Sequence, residues 1–327
     1  MGLISPSSAM LRHARYLSTK PYEVFDRQIK LLQRTNAAQN PASAQVEYLR
    51  DEVARKTIER LAFVKRTFPR VLDYGCGSGN LEKALCEDTE DANVVRERLG
   101  EITMTDSSEV MLHRWSDEEY NNKLKVKKLV VDEETMEHHE LHKRPFDAVI
   151  SNMALHWVND LPGVLKKINS VLKPDGLFMA SMISEDSLFE LRTSLQLAES
   201  ERRGGMSPRV SPLVTVNDIS SLLKQNKFNL VTIDVEEIIV GYPDLFAILQ
   251  DLQLMGENNA NKAHTGALPR DVLTAAQAIY RTFHGDPDGT LPLTYRVLFM
   301  VGWKHAEHQP KPLDRGTGEF SLKDVLK

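Results

Sequence analysis

The sequence is poor in cysteine, in long apolar runs and in any surplus of positive charge. Two cysteines, Cys76 and Cys86, among 327 residues exclude a disulfide framework and a cysteine-only zinc site. No apolar run reaches the ~18 residues needed to span a bilayer; the longest, around Val297–Trp303, has the length of a buried strand. Lys and Arg number 41 against 46 Asp and Glu, a formal net charge of -5. A chain without a basic surplus lacks the electrostatic footprint of a nucleic-acid binder. With 41% hydrophobic residues, what remains is a soluble globular protein of a reducing compartment. Its length allows two domains at about 150 residues each.

The charge is unevenly spread. Residues 1–20 hold Arg12, Arg15 and Lys20, four serines and no acid. That composition reads as a mitochondrial transit peptide, and no apolar core follows it to suggest secretion. Its removal takes the net charge from -5 to near -8, and an acidic body suits a basic protein substrate.

Beyond the leader, residues 23–34 and 46–64 carry apolar residues at helical spacing. Short strands follow at 70–74, 102–105, 128–131, 146–151 and 177–182, with a strong helix over 159–172. Alternating strands and helices at this period predict an α/β fold with a doubly wound, mostly parallel sheet. The sheet core spans 70–183, after an N-terminal helical segment over 21–69. Residues 184–292 read as a helical substrate or partner region carrying one strand, 228–235. Capping-box spacing marks helix starts at Ser187 to Glu190 and at Thr215 to Asp218. A last strand lies within 293–304 and a loose tail over 305–327.

The central motif is Asp73-Tyr74-Gly75-Cys76-Gly77-Ser78-Gly79 on a strand-to-helix turn. Gly75, Gly77 and Gly79 allow positive φ and close backbone approach to a ligand. The spacing differs from the dinucleotide fingerprint. Asp73 would repel a pyrophosphate and attract the ammonium of an amino-acid ligand, which points to S-adenosylmethionine. Asp106 ends the second strand, where a carboxylate accepts from ribose hydroxyls. The long interval from Gly77 to Asp106 is assigned to a surface connection around Glu87–Asp91. Asp132 ends the third strand, in reach of the adenine amine. His156, after the fourth strand, is a candidate acid or base, with core packing an equal reading; for Trp157 packing leads. Cys76 is either a reactive thiol or a small side chain beside a ligand. His138, His139 and His142 sit among acids and read as a solvated face. His284-Gly285-Asp286, with His305 or His308, mimics a two-histidine-one-carboxylate triad, but Asp286-Pro287-Asp288-Gly289 is turn chemistry, so no metal site is assigned.

The block from Val71 to Ala180, with VLDYGCGSG, Asp106, VVD, FDAVISN and LKPDG, resembles the class I S-adenosylmethionine-dependent methyltransferases. VFDRQIKLLQR, SNMALHWVNDLP, LFELRTSLQLAESERRGGMSPRVSP and FMVGWK resemble the mitochondrial complex I assembly factor 5 family more specifically. The biotin-pathway enzyme that methylates malonyl-acyl-carrier protein is a more distant likeness. The resemblance implies a matrix protein peripheral to the inner membrane, working with other assembly factors. It also implies hydroxylation of an arginine in an iron–sulphur subunit of complex I. Asp73, Gly75, Gly77, Gly79, Asp106 and Asp132 carry over as S-adenosylmethionine-pocket positions, and no residue carries over as an oxidation catalyst. The alternatives are a methyltransferase of a protein or carrier-linked substrate and a non-catalytic assembly chaperone.

Overall fold

The computed structural model describes residues 23–115, 120, 123–263 and 266–310. Residues 1–22, which include the segment read as a transit peptide, and residues 311–327 lie outside them. Among the described residues seven strands form one sheet: β1 (Phe68–Tyr74), β2 (Leu99–Asp106), β3 (Lys125–Val130), β4 (Phe146–Asn152), β5 (Leu172–Ile183), β6 (Phe228–Tyr242) and β7 (Leu291–Lys304), in the order β3-β2-β1-β4-β5-β7-β6. The strands β1 to β5 run parallel, and β7 is antiparallel to both its neighbours. This is the class I methyltransferase fold.

Alternation along the strands sends side chains to both faces, and helices cover both. On one face Val71, Ile102 and Ile150 pack with α2 (Tyr48–Ala62), α3 (Asn80–Leu85) and α4 (Glu90–Arg98). On the other, Leu72, Val149 and Phe178 pack with α7 (Leu161–Val171) and α9 (Val216–Gln225). A third cluster joins α8 (Phe189–Arg203), α10 (Leu245–Leu254) and α11 (Arg270–His284) to the inner side of β6 and β7. Among the described residues the remaining α-helices are α1 (Arg27–Gln39) and two short ones, α5 (Glu109–Leu112) and α6 (His139–Lys143). Among the described residues no helix is long and apolar enough to cross a membrane.

Strand order reverses between β1 and β4, so a crevice opens where their carboxyl ends diverge. α1 lies across it. Asp26 caps α1 by accepting from Gln28 N and Ile29 N, both at 3.0 Å. The Asp26 N–H donates to Ala260 O at 2.7 Å, which pins the start of α1 to the loop after α10.

Two local expectations are corrected. The acidic stretch at 87–91 is no simple surface connection, because Thr89 caps α4 there and Glu90 and Asp91 fill its first turn, where they favour the helix dipole. Ser187 and Glu190 form no capping box. Leu188 holds the cap position at φ +54, and β7 takes both polar side chains. Ser187 Oγ accepts from Arg296 N at 2.8 Å, and the Glu190 carboxylate accepts from the Thr294 hydroxyl at 2.5 Å. The box at Thr215 and Asp218 does form, with both reciprocal bonds. Thr215→Ala should cost about 1 kcal/mol, read as a lower urea midpoint at unchanged slope.

Candidate cofactor site and adjoining cavity

The turn after β1 is built by its glycines. Gly75, Gly77 and Gly79 adopt φ of +74, +64 and +90, and a Cβ on Gly75 would stand 2.5 Å from Ala154 Cβ. The N–H groups of Gly75 and Cys76 both donate to Thr105 O, at 2.8 and 2.9 Å. The loop is thereby clamped to β2 and turned toward the crevice.

Asp73 lines this crevice, 1% exposed; no N–H group of the described residues donates to its carboxylate, and its side chain pairs with that of Glu82. Burial, and then the nearby carboxylates Glu82 and Asp106, push its carboxyl well above the usual range. Glu82 on α3 is fully buried, and burial raises its carboxyl to about 7. Asn152 contributes the opposite need. Its Oδ1 accepts from Thr57 and Ser181 at 2.9 Å each, which leaves its buried Nδ2 without an acceptor. A carboxylate pair without a cation in salt-bridge contact and an orphaned amide donor in one crevice suit the ammonium and carboxylate of an amino acid. Cys76 is buried, and burial pushes its thiol up, so the packing reading of this cysteine stands over the reactive one.

Asp106 is fully buried and already engaged. Its Oδ2 takes Arg34 Nη2 at 2.7 Å and Gly77 N at 3.0 Å; its Oδ1 takes Ser108 N at 2.9 Å. Burial pushes the carboxyl up, while Arg34 and the two N–H bonds pull against it. Asp132 is half-exposed and organises the next turn, accepting from Glu134 N at 2.6 Å. Arg27 reaches its Oδ1 at 3.5 Å and Glu133 at 2.5 Å.

Both arginines come from α1, and sequence reading missed them. The inward face of this helix presents Arg27, Lys30 and Arg34, at i, i+3 and i+7, where a surface helix usually presents apolar residues. Lys30 Nζ donates to Gly256 O at 3.1 Å and Asn258 O at 2.8 Å, and stands 3.4 Å from the centroid of the Trp157 ring. Burial lowers its amine to about 7. With Arg34 and Arg50 in place, the free space of the crevice is about 10 Å³. The donor set fits S-adenosylmethionine, and the free volume does not hold it with Arg34 where it stands.

Met153 joins the crevice to a larger cavity of about 550 Å³. Leu49, Leu191, Leu195 and Leu252 supply apolar wall, and His156 and Glu257 stand on its lining. His156 therefore belongs to the cavity and not to the glycine crevice. Its Nε2 lies 3.4 Å from Glu257 Oε2, which also accepts from Trp157 Nε1 at 2.5 Å. Arg50 Nη2 reaches Glu257 Oε1 at 2.5 Å. Despite burial, the bond from His156 and the charge of Arg50 hold the Glu257 carboxyl far below its usual range. Trp157 packs edge-on against Phe25, ring centroids 5.2 Å apart. Glu257 was not foreseen, since it lies on a loop without a motif. Among the described residues no group of three or more His, Cys, Asp and Glu side chains is placed to hold a metal ion.

Comparisons with known proteins agree with this architecture. The Methyltransferase domain family matches residues 46–233. The human mitochondrial arginine-hydroxylase NDUFAF5 is 39% identical over 310 residues, covering 95% of this chain and 85% of the human one. The Dictyostelium discoideum protein of the same name is 35% identical, covering 95% and 72%. A malonyl-[acyl-carrier protein] O-methyltransferase from Methylovorus sp. is 32% identical, covering 78% and 82%. Among solved structures, the YcgJ protein of Bacillus subtilis superposes with TM-score 0.50 at 15% identity, covering 77% of this chain and 99% of that one, a likeness of fold alone. The chain belongs to the mitochondrial arginine-hydroxylase NDUFAF5 family, built on a methyltransferase domain.

Proposed function

We propose that this chain hydroxylates an arginine of a complex I iron–sulphur subunit in the mitochondrial matrix, peripheral to the inner membrane and beside other assembly factors. The observation that carries the reading is the extent of the likeness. Identity of 39% with the human arginine hydroxylase runs over 95% of the chain. It therefore includes the helices outside the sheet that wall the large cavity, which a cofactor-binding fold alone does not require. The acid-free basic leader supports import, and the acidic remainder supports a basic protein substrate.

The cofactor is S-adenosylmethionine, which when bound supplies an electrophilic sulfonium methyl group. We assign Asp73 to its ammonium, because the buried Asp73–Glu82 pair has no cation in salt-bridge contact, and Asn152 Nδ2 to its carboxylate, because that buried donor otherwise lacks a partner. Gly75, Gly77 and Gly79 allow close backbone approach. Asp106 is assigned to the ribose hydroxyls, a role that needs Arg34 to leave it, and Asp132 to the adenine amine. His156, on the cavity side, is assigned to the protein substrate.

Mass spectrometry of complex I subunits from mitochondria with and without this protein tests the reading. One arginine-containing peptide should lose the mass of an oxygen atom when the protein is absent; unchanged peptides would sink it. The Methylovorus relative favours a second reading, methyl transfer to a protein or carrier-linked carboxylate. There the purified protein should instead add the mass of a methylene to an acceptor.

A further inference from the structure

Four residues that line the large cavity carry a buried polar atom without a partner: Gln33 Oε1, His156 Nδ1 and the hydroxyls of Ser211 and Tyr295. The first two are the candidate acceptors. Gln33 Nε2 donates to Asn259 O at 3.1 Å; only the amide nitrogen can face a carbonyl, so Oε1 is the atom left over. The His156 Nε2 faces the carboxylate of Glu257, an acceptor only. In the uncharged form of the ring the proton sits on Nε2, facing Glu257, and Nδ1 is an acceptor. Buried polar atoms are rarely left unpaired, and those that are call for an explanation.

Around these acceptors the wall is aliphatic: Leu49, Met153, Leu191 and Leu252. Lys30, beside Trp157, donates to the Gly256 and Asn258 carbonyls, and two nearby guanidinium groups are paired with carboxylates. Arg50 is paired with Glu257 at 2.5 Å, and Arg209 with Glu199 at 2.7 Å. Such a site asks for N–H donors carried at the end of an apolar stem. A volume of about 550 Å³ admits one long side chain with part of its peptide. A guanidinium, all donor and no acceptor, on its propyl stem has this form.

We propose that this cavity receives the side chain of the target arginine, with Gln33 Oε1 and His156 Nδ1 accepting from its guanidinium N–H groups. This rests on the arginine-hydroxylase reading and adds the place and the specificity-determining atoms. Through Met153 the bound side chain adjoins the cofactor crevice, which places the arginine beside the centre assigned to S-adenosylmethionine.

The test uses the full chain saturated with S-adenosylmethionine. The probes are short peptides tiling the arginine-containing segments of complex I iron–sulphur subunits, each paired with its citrulline counterpart. Calorimetry should find an arginine peptide that binds roughly tenfold or more tightly than its citrulline form. Gln33→Leu removes the acceptor and should weaken that peptide roughly tenfold. Gln33→Glu puts a carboxylate there and should tighten it. Both variants lose the bond to Asn259, so a merely structural Gln33 would make both weaker; the opposite signs belong to a guanidinium site. His156→Phe should weaken binding as well. Unchanged S-adenosylmethionine affinity in each variant reports an intact fold. Equal binding by wild type, Gln33→Leu and Gln33→Glu, equal weakening in both Gln33 variants, or no bound arginine peptide would each overturn the assignment. The oxygen mark on complex I judges the underlying reading separately. Its presence together with variant-insensitive binding would remove the cavity assignment alone, and its absence would remove the reading.

Discussion

Replacing Arg34 by methionine should lower the stability of the cofactor-free protein by about 3–5 kcal/mol, the usual result of stranding a buried charge. Asp106 is fully buried, and Arg34 is the only cation within salt-bridge distance of it among the described residues. Methionine keeps most of the packing volume of Arg34, so the loss reports the charge. Asp106→Asn removes the other charge and strands Arg34 in the same way. The double variant should recover most of the loss, because removing both charges of a buried pair is often close to neutral. Urea unfolding of the four proteins closes the cycle. A coupling energy below about 0.5 kcal/mol, the scatter of additive pairs, would show that the pair does not hold α1 down. The cycle also bears on the cofactor. Arg34 occupies the carboxylate assigned to the ribose, so S-adenosylmethionine should raise the melting temperature of Arg34→Met more than that of the wild type. An equal rise in both would mean that Asp106 does not meet the ribose.

The sheet was legible because its physics is local. Val71–Tyr74, Phe146–Ser151 and Leu177–Met182 are short apolar runs bounded by turn residues, as strands covered on both faces must be. The glycine loop was legible because positive φ at Gly75, Gly77 and Gly79 excludes almost every other residue. The inward face of α1 was not. Periodicity searches look for apolar residues, and Arg27, Lys30 and Arg34 fill the inward positions with cations whose partners lie far along the chain, on loops and at the end of β2. The same limit separates two capping-box spacings. Thr215 and Asp218 have no competitor and form the box, whereas Ser187 and Glu190 are taken by Arg296 and Thr294 of β7. The role of Gln33 is invisible in sequence for a related reason, since an orphaned acceptor shows itself only once every neighbouring donor is placed.

Between pH 5 and 8, wild type should lose stability relative to Glu82→Gln, by about 2–3 kcal/mol in all. Asp73 and Glu82 are buried carboxyl groups whose folded-state values are both raised, Glu82 to about 7. Their unfolded values are about 4. A raised carboxyl favours the folded state while protonated. That stabilisation is complete below about pH 4 and is lost as pH rises through the folded value. Lys30 has the opposite slope, because its amine is lowered to about 7 by burial; the difference between variant and wild type cancels it. The groups facing the pair are Asp106 and Cys76, with Arg34 and Lys128 as the cations. A cationic ligand reverses the penalty. The ammonium assigned to Asp73 binds the ionised pair, so S-adenosylmethionine affinity should rise with pH toward about 7, with proton release on binding below that value. Calorimetry in buffers of different ionisation enthalpy counts those protons. Flat affinity and no proton release would place the ammonium elsewhere. A variant-minus-wild-type stability that does not change with pH would show that Glu82 is not held protonated in the fold.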